Sequence, residues 1–319
     1  MKLPEELNLA IQEKVENVSL ATLRKTAKEL SNRYQTEERK GQSLLQTPIE
    51  AITYAIMRMP ATFGAVATAA QYTFKQYTGK LGTMIDVGAG TGSATWAMNK
   101  LQQWEKITCL EREEEMYQLG KELMQYCSGH EMITWEKIDI TCKESIEKQA
   151  DLVVASYIFN EIDDRKKEEV WQKLKNMTSK VLLIIEPGTP EAFHNIKRMQ
   201  QEAINSGWKI IAPCTMQNTC PLPEDDWCHA TVRIERNKIH KYIKEADLPY
   251  EDEKFCYLAI TKEDITTAKA RILRHPYIES GKVTVKLCEN GEIVEKIITK
   301  KEKERFKTIK KMNCGDCIE

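Results

Sequence analysis

The chain has 319 residues, of which 41% are hydrophobic and 30% are charged, and its formal net charge is -1. This length allows two or three domains with packed cores, and the balanced charge excludes a globally basic nucleic-acid-binding protein, so any such surface must be local. No run of about 18 apolar residues is present, so we expect no membrane-spanning helix and no membrane partner.

Residues 1–77 are predicted to form an N-terminal helical region. Apolar residues recur at helical spacing after Leu3 and again after Ser19. The opening residues are too charged for a signal peptide and too acidic for a transit peptide. We therefore expect a cytoplasmic location, where the reducing thiol pool keeps cysteines out of disulfides.

The second half of this region carries a clear helix start. A polar segment from Gln35 to Ser43 predicts a loop, and Thr47-Pro48-Ile49-Glu50 then forms a capping box with proline at the first helical position. Pro60 predicts an end or a kink in the helix that follows. A further helix is predicted over residues 62–77.

Residues 78–263 alternate short apolar strands with amphipathic helices. Strands are predicted at 83–87, 106–111, 133–138, 152–157, 181–186, 208–212, 229–235 and 255–261, and helices at 93–102, 113–126, 165–176 and 191–206. Such alternation is typical of an α/β fold with a doubly wound, Rossmann-like sheet. A cysteine-rich insertion at 212–230 interrupts the last strands, because its prolines and acidic residues fit neither a helix nor a regular strand.

Residues 264–319 are predicted to form a small β region with a basic end. Strands are predicted at 271–273, 282–288 and 292–299, with Glu289-Asn290-Gly291 as a turn. The cations of the closing segment are Lys296, Lys300, Lys301, Lys303, Arg305, Lys307, Lys310 and Lys311, against Glu302 and Glu304. This basic segment is either a phosphate-binding surface or a solvated helix of mixed charge.

A glycine-rich loop joins the first strand of the alternating region to its first helix. Gly88, Gly90 and Gly92 allow a tight turn and a close approach of a ligand to the backbone. The spacing is G-x-G-x-G after Asp86, rather than the G-x-G-x-x-G of dinucleotide-binding loops. The loop resembles motif I of class I S-adenosylmethionine-dependent methyltransferases, in which the acid helps to organise the pocket around the cationic end of the cofactor.

Acidic residues lie at or just after the ends of the next two predicted strands. Glu111 is placed to accept both ribose hydroxyls, and Asp139 resembles the acid that contacts the adenine amino group. Each acid alone could be a solvated strand end, but together with Asp86 they predict an S-adenosylmethionine pocket. The predicted cofactor residues are Asp86, Gly88, Ala89, Gly90, Gly92, Glu111, Arg112, Asp139 and Ile140.

The fourth strand should supply the groups that position a substrate, because methyl transfer from a sulfonium is an in-line displacement. Residues 155–161 lack the Pro-Pro-aromatic signature of enzymes that methylate exocyclic amines. Asn160 and Glu161 are the catalytic candidates, with a helix N-cap role as the alternative. The sequence therefore supports cofactor binding better than it supports catalysis.

Three of the ten cysteines, Cys214, Cys220 and Cys228, lie in the cysteine-rich insertion. Clustered thiolates are strong ligands for zinc or iron, so they predict a metal site. The candidates for a fourth ligand are His229, Cys256, Cys288 and the Cys314/Cys317 pair. The spacing does not match paired zinc knuckles, and iron–sulfur and zinc both stay open. Small apolar side chains are expected at Cys109, Cys127, Cys142 and Cys256.

Several blocks of the sequence together resemble one family. They are Arg58-Met59-Pro60-Ala61-Thr62, residues 86–92 with Trp96, Cys220-Pro221-Leu222-Pro223, Asp226-Trp227-Cys228-His229, Tyr250-Glu251-Asp252-Glu253-Lys254-Phe255, Arg271-Ile272-Leu273 and Gly315-Asp316. The chain resembles the ribosomal small-subunit methyltransferase-like family, the bacterial homologues of the mitochondrial small-subunit assembly factor. Cys256, Cys314 and Cys317 depart from the family's pattern.

The resemblance implies S-adenosylmethionine at the glycine loop and a [4Fe-4S] cluster on Cys214, Cys220, Cys228 and Cys288. It also implies binding to small-subunit ribosomal RNA, or to the ribosomal subunit, during assembly. The expected function is a methyltransferase-like protein with an iron–sulfur cluster, and a monomer is favoured. One alternative is a non-catalytic assembly factor that uses cofactor and cluster structurally. The other is a zinc-stabilised methyltransferase of another substrate.

Overall fold

A computed structural model describes residues 1–35 and 45–318, so the predicted loop after Gln35 lies outside the described residues. The helices described are α1 Glu5–Val15, α2 Leu20–Gln35, α3 Pro48–Gln76, α4 Ser93–Leu101, α5 Glu114–Met124, α6 Asp164–Met177, α7 Pro190–Asn205, α8 Lys238–Ile243 and α9 Lys303–Ile309. The strands are β1 Thr83–Val87, β2 Lys106–Glu111, β3 Ile133–Lys137, β4 Ala150–Ser156, β5 Thr178–Pro187, β6 Lys209–Ala212, β7 Ala230–Glu235, β8 Tyr250–Thr261, β9 Ala270–Ile272, β10 Tyr277–Glu279, β11 Lys282–Glu289, β12 Glu292–Thr299 and β13 Cys317–Ile318.

The chain divides into two compact units. Unit one comprises Met1–Thr68, Lys80–Ser179 and Val232–Glu253, and unit two comprises Ala69–Gly79, Lys180–Thr231 and Lys254–Glu319. Each unit holds its own run of strands, and each holds one of the two candidate sites.

Four strands of unit one pair in the order β3-β2-β1-β4. β1 pairs in parallel with β2 and with β4, and β2 pairs in parallel with β3. β1 and β4 are buried along nearly their whole length, as parallel strands covered on both faces must be. Since the carboxyl ends of parallel strands lie at one edge, the loops that follow these strands meet there.

Three strands of unit two pair in the order β5-β8-β6. β8 runs antiparallel to both neighbours, with Leu183 opposite Ala259 and Ile210 opposite Ile260. Four parallel strands in the order 3-2-1-4, followed along the chain by a run whose central strand is antiparallel, are the pattern of a class I methyltransferase. The predicted fold class is therefore confirmed.

The C-terminal part of unit two forms a second, antiparallel sheet. Its strand order is β10-β11-β9-β13, and β12 pairs with β11. Val283, Val285 and Leu287 of β11 are buried in a core that includes Phe306 of α9. Because side chains alternate along a strand, Cys288 points to the opposite face of this sheet.

The N-terminal region corrects one prediction. The helix was expected to end or kink near Pro60, with a further helix from residue 62; it does not end there, because α3 continues through Pro60 to Gln76 as one helix. Met59, Ala61 and Phe63 are each at most 1% exposed, so burial of the surrounding residues holds the helix although Pro60 cannot donate a backbone hydrogen bond. No helix in the described part of the chain is both long enough and apolar enough to cross a membrane.

The sequence pattern also misses some short elements. β10 and β13 have three and two residues, too few for a periodicity to show. α8 was likewise not predicted, whereas α9 lies within the basic segment, for which a solvated helix of mixed charge was one of the two interpretations. β8 begins at Tyr250 rather than at Phe255, because its acidic first residues continue the strand.

Candidate functional site

The glycine-rich loop leaves the end of β1 and turns tightly into α4. Gly88, Gly90 and Gly92 have φ angles of 66°, 57° and 84°, which residues with a side chain rarely adopt. The amides of Gly88 and Ala89 donate to the carbonyl of Leu110 at 2.9 and 3.0 Å. The loop is thereby fixed to the neighbouring strand β2.

Glu111, the last residue of β2, is buried beside this loop. Its Oε2 accepts a hydrogen bond from the amide of Gly90 at 2.7 Å, and its Oε1 accepts one from the amide of Glu113 at 2.7 Å. Burial raises the pKa of Glu111 above its ordinary value, although these backbone hydrogen bonds oppose the shift. A carboxylate fixed beside a glycine loop in this way is suited to accept the two hydroxyls of a ribose.

These groups line a cavity of about 110 Å³ in unit one. The predicted cofactor residues that line it are Gly88, Ala89, Gly90, Glu111, Arg112, Asp139 and Ile140. Asp139 follows β3, and its Oδ1 accepts hydrogen bonds from the amide and the hydroxyl of Thr141, both at 2.8 Å. Residues from the ends of three parallel strands therefore surround one cavity.

Asp86 and Gly92, the other predicted cofactor residues, are not among the described residues that line this cavity. Asp86 is fully buried, and its Oδ2 accepts from the amide of Thr95 at 3.1 Å and from its hydroxyl at 2.8 Å. Burial raises the pKa of Asp86 to about 7, against the effect of these bonds. Its Oδ1 has no hydrogen-bond partner among the described residues. Asp86 therefore holds α4 to β1 and shapes the loop indirectly.

The structure brings one of the two catalytic candidates to the cavity. Glu161 lines it, whereas Asn160 is not among the described lining residues. Burial raises the pKa of Glu161 to about 7, although the charge of Arg112 lowers it, and a carboxyl with such a pKa can exchange a proton near neutrality. The alternative N-cap role is wrong for both residues, because Asp163 caps α6 by accepting from the amide of Arg165.

Tyr157, directly after β4, also lines the cavity and is strained. Its φ is 62°, a conformation that costs a bulky residue about 1–2 kcal/mol. Its hydroxyl donates to Glu253 Oε1 at 2.8 Å. Arg58 lies 5.8 Å from the centre of its ring and 3.5 Å from the Glu253 carboxylate. Nothing in the local sequence marks Tyr157, because its strain and its partners exist only in the folded chain.

Helix α3 supplies lining residues that sequence reasoning did not assign to the pocket. Tyr54 and Thr62 line the cavity, and Arg58 lies between them in the sequence at a spacing of four. Residues four apart share one helix face, so this spacing was an available signal. The N-terminal helical region therefore contributes directly to the candidate cofactor site.

A second cavity, of about 40 Å³, lies in unit two. The predicted metal ligands Cys214, Cys220, Cys228 and Cys288 all line it, and so does Cys256. The hydroxyl of Thr215 lies 3.6 Å from the sulfur of Cys288, which places the outward face of β11 against the cysteine loop.

The cysteines of this cavity influence one another. Burial raises the pKa of Cys214 well above its ordinary value, and the Cys220, Cys228 and Cys288 thiols raise it further. Burial likewise raises the pKa of Cys228 to about 12, whereas the positive charge of Arg271 lowers it. Thiols so close together repel as thiolates unless a cation lies among them.

A donor set of cysteines alone suits zinc or an iron–sulfur cluster rather than a hard cation. The lining of the second cavity therefore fits either group by its chemistry. Within residues 1–35 and 45–318, however, no three His, Cys, Asp or Glu side chains form a ready-made site for a single metal ion.

Other cysteines have ordinary partners. The thiol of Cys256 donates to the carbonyl of Pro187 at 3.2 Å, and the thiol of Cys314 lies 3.1 Å from the carbonyl of His229. Of the four cysteines expected to be apolar side chains, three are buried, and Cys142 is half-buried. Of the residues considered as a fourth ligand, His229 and Cys256 line the second cavity, whereas Cys314 and Cys317 are not among its described lining residues.

The basic segment is partly neutralised. Arg305 pairs with Glu302, and Lys307 pairs with Glu304 at 2.9 Å. Its cations that are exposed and form no ion pair with another described residue are Lys300, Lys301, Lys303, Lys310 and Lys311. The segment therefore combines mixed charge with a group of free lysines.

Comparisons with known proteins give a family for the chain. The model of the family described as mitochondrial small ribosomal subunit Rsm22 matches residues 48–319. The human protein named ribosome assembly protein METTL17, mitochondrial, is 26% identical over 226 residues, which is 66% of this chain and 47% of that protein. The chain thus spans about half the length of this curated relative.

Two of the similar solved structures are methyltransferases of low sequence identity. Magnesium protoporphyrin IX methyltransferase from Synechocystis PCC 6803, solved with S-adenosylmethionine, is 11% identical and covers 75% of this chain and 97% of its own, with a TM-score of 0.40. NodS from Bradyrhizobium japonicum WM9 is 10% identical and covers 75% of this chain and 99% of its own, with a TM-score of 0.41. These likenesses concern the fold alone, and the fold assignment rests on strand order.

Proposed function

The chain belongs to the family described as mitochondrial small ribosomal subunit Rsm22, and we propose that it is an S-adenosylmethionine-dependent methyltransferase-like protein that acts on or with small-subunit ribosomal RNA during ribosome assembly. The observation that carries the cofactor assignment is the bond from the Gly90 amide to the buried carboxylate of Glu111. The assembly role draws on the family and on the name of the human relative, a ribosome assembly protein.

In this proposal the lining of the first cavity divides into binding and acceptor roles. Glu111 accepts hydrogen bonds from the ribose hydroxyls, and Asp139 accepts one from the adenine amino group. S-adenosylmethionine supplies a methyl group on a sulfonium, which needs a nucleophile held in line. In the same proposal, Glu161 takes a proton from that nucleophile. Tyr157, held by Glu253 and Arg58, limits the shape of the acceptor end.

Methyl transfer is tested with tritiated S-adenosylmethionine and immature small subunits. We expect incorporation by the wild-type protein and a loss of about 100-fold in Glu161→Gln, because the proton acceptor is removed while the cofactor residues stay. Glu111→Gln should weaken cofactor binding by roughly tenfold or more, since a hydrogen bond to a charged group contributes about 1.5–3 kcal/mol. Glu114→Gln, on the surface beside Lys137, is the matched control.

A non-catalytic assembly factor is the second candidate. The fourth strand lacks the amine-methylating signature, and Asn160 is outside the described cavity lining. If wild-type protein with bound cofactor transfers no methyl group to immature subunits but still promotes their maturation, the enzyme assignment fails and this candidate stands.

We further propose that Cys214, Cys220, Cys228 and Cys288 hold a [4Fe-4S] cluster, with zinc as the alternative. A structural metal group would tie the cysteine loop to β11 and would suit a reducing compartment such as the cytoplasm. Anaerobic purification with metal analysis and a visible spectrum separates the two. We expect brown protein that Cys228→Ser bleaches and Cys142→Ser does not. Colourless protein with stoichiometric zinc would favour a zinc-stabilised methyltransferase.

The free lysines of the basic segment are proposed to contact RNA phosphates. Replacing Lys300 and Lys301 by Glu should weaken RNA binding and reduce its salt dependence, because each lost phosphate contact lowers the slope of log K against log salt by about 0.7–0.9. Lys143→Glu, an exposed lysine in unit one, is the control. Equal slopes for both variants would remove this surface from the proposal.

A further inference from the structure

Arg271 is a buried cation that has no acidic partner among the described residues. It lies on β9 and is 2% exposed. Its Nε donates to the carbonyl of Pro213 and its Nη1 donates to the carbonyl of Gly315. Within residues 1–35 and 45–318 its guanidinium forms no ion pair with a carboxylate.

Two aromatic rings stabilise this charge in part. The guanidinium carbon lies 5.2 Å from the ring centre of Tyr72 and 5.8 Å from that of Tyr257. Cation–π contacts and two carbonyl acceptors offset some of the cost of burial. They carry no full negative charge, however, and a guanidinium cannot lose its proton. Burying such a charge without a counter-charge costs several kcal/mol.

The position of Arg271 is set by the C-terminal sheet. Arg271 lies opposite Cys288 of β11 on one side and opposite Cys317 of β13 on the other. Directly opposed residues of antiparallel strands project from the same face. Arg271 also lines the second cavity together with Cys214 and Cys228. The cation is therefore built into the wall of the cysteine site.

A metal bound by four cysteines would supply the missing charge. Four thiolates around Zn²⁺, or around an oxidised [4Fe-4S] core, leave about two net negative charges. We infer that Arg271 is the counter-cation of this site: its fixed charge stabilises an anionic metal–thiolate group and, for an iron–sulfur cluster, raises the reduction potential. This inference rests on the proposed metal site and adds a positioning residue that is not a ligand.

One carboxylate nearby offers a rival explanation. The hydroxyl of Tyr72 donates to Asp316 Oδ1 at 2.6 Å, and Asp316 Oδ2 accepts from the amide of Asn313 at 2.7 Å. Asp316 could balance Arg271 at a distance through Tyr72. The two explanations differ in which substitution changes the bound metal.

The test compares four variants of the full chain: Arg271→Lys, Arg271→Gln, Arg271→Met and Asp316→Asn. Each is reconstituted anaerobically with iron and sulfide, and separately with zinc. The measured quantities are metal per chain, the rate of metal loss to a chelator and, for iron, the midpoint potential. We expect Arg271→Met and Arg271→Gln to lose metal roughly 10-fold faster or more. Their potentials should be more negative, because a lost positive charge disfavours the reduced, more anionic cluster. Arg271→Lys should stay near the wild type.

Each outcome decides the matter. Neutral variants that fold and keep the wild-type potential and metal retention overturn the inference. The inference is also overturned if Arg271→Lys loses metal as fast as Arg271→Met does, because the hydrogen bonds of Arg271 rather than its charge would then matter. If metal retention or midpoint potential changes only in Asp316→Asn, the counter-charge of Arg271 is Asp316. The inference is supported if Arg271→Met and Arg271→Gln accumulate only in a metal-free form while Arg271→Lys binds metal. If the wild type binds neither metal, the proposed metal site fails as well.

Discussion

Asp86 makes the stability of this protein depend on pH in an unusual direction. Its pKa is about 7 in the folded chain because of burial, against an ordinary value of 3.8. Between those values the unfolded chain has released the proton and the folded chain still holds it. The free energy of unfolding therefore falls as pH rises from about 4 to about 7, and levels off above that. Glu161 acts in the same direction, since burial raises its pKa to about 7 as well.

Asp86→Asn removes this titration while keeping the shape of the side chain. Relative to wild type, we expect the variant to gain stability steadily from pH 4 to pH 7, by up to about 4 kcal/mol, since one unit of pKa corresponds to about 1.4 kcal/mol. Urea unfolding of both proteins at several pH values measures the difference. If the free energies of unfolding of the two proteins differed by the same amount at every pH, Asp86 would ionise at its ordinary pKa in the folded chain.

Single residues were predictable from the sequence where the chemistry is local. Gly88, Gly90 and Glu111 follow from the strand–loop–helix pattern and a short spacing, and all three line the first cavity. Tyr157 was not predictable, because its partner Glu253 is 96 residues away in the sequence. Asp86 was predictable as an important acid, but only the structure shows that its carboxylate is bonded to Thr95.

At the scale of elements, the docking of the C-terminal strand depends on one glycine. Gly315 has a φ of 96°, and a Cβ at this position would lie 2.5 Å from the Cβ of Ala230. Its amide donates to the carbonyl of Ile272 at 2.8 Å, beside the pairing of β13 with β9. Gly281 is a matched control, because its φ is 86° but a Cβ there would meet no atom within 4 Å.

Gly281→Ala should cost about 1 kcal/mol, for the left-handed backbone alone. Gly315→Ala should cost about 2 kcal/mol more, because the new methyl group must displace the backbone of Ala230. Thermal or urea unfolding of both variants measures this difference. Equal destabilisation would show that residues 313–318 are not packed against Ala230 in solution.

Helices and strands were predictable where their hydrophobic pattern is long enough to be recognised, and not where the element has only a few residues. β1 and β2 were predicted at their observed bounds because buried parallel strands are short, continuous apolar runs. β13 has only two residues, and its place is fixed by pairing with β9 rather than by its own composition. Pro60 misled the prediction for α3, because a local rule for helix breaking was outweighed by burial of the surrounding residues.

For the whole molecule, the doubly wound fold class followed from the sequence, but the strand order and the contact of Cys288 with the cysteine loop did not. The alternation of β11 indicates that Cys288 points away from the core that contains Val285. No periodicity states which distant segment covers that face. The family resemblance supplied this information, and the 3.6 Å approach of Thr215 to Cys288 agrees with it.

The two candidate sites lie in different compact units, so ligand binding at each site should change amide hydrogen exchange in a different set of segments. Local stability follows local contacts, and amide hydrogen exchange reports it segment by segment. S-adenosylmethionine should slow exchange at residues 88–92 and 111–113 in unit one. Removal of the proposed metal by a chelator should speed exchange at residues 213–229 and in β9 and β11 of unit two, because the proposed ligands lie in both of these segments. Cys228→Ser should reproduce the second change without chelator, and Cys142→Ser should not. A change of similar size in every segment on metal removal would instead mean that the metal supports the fold of the whole chain.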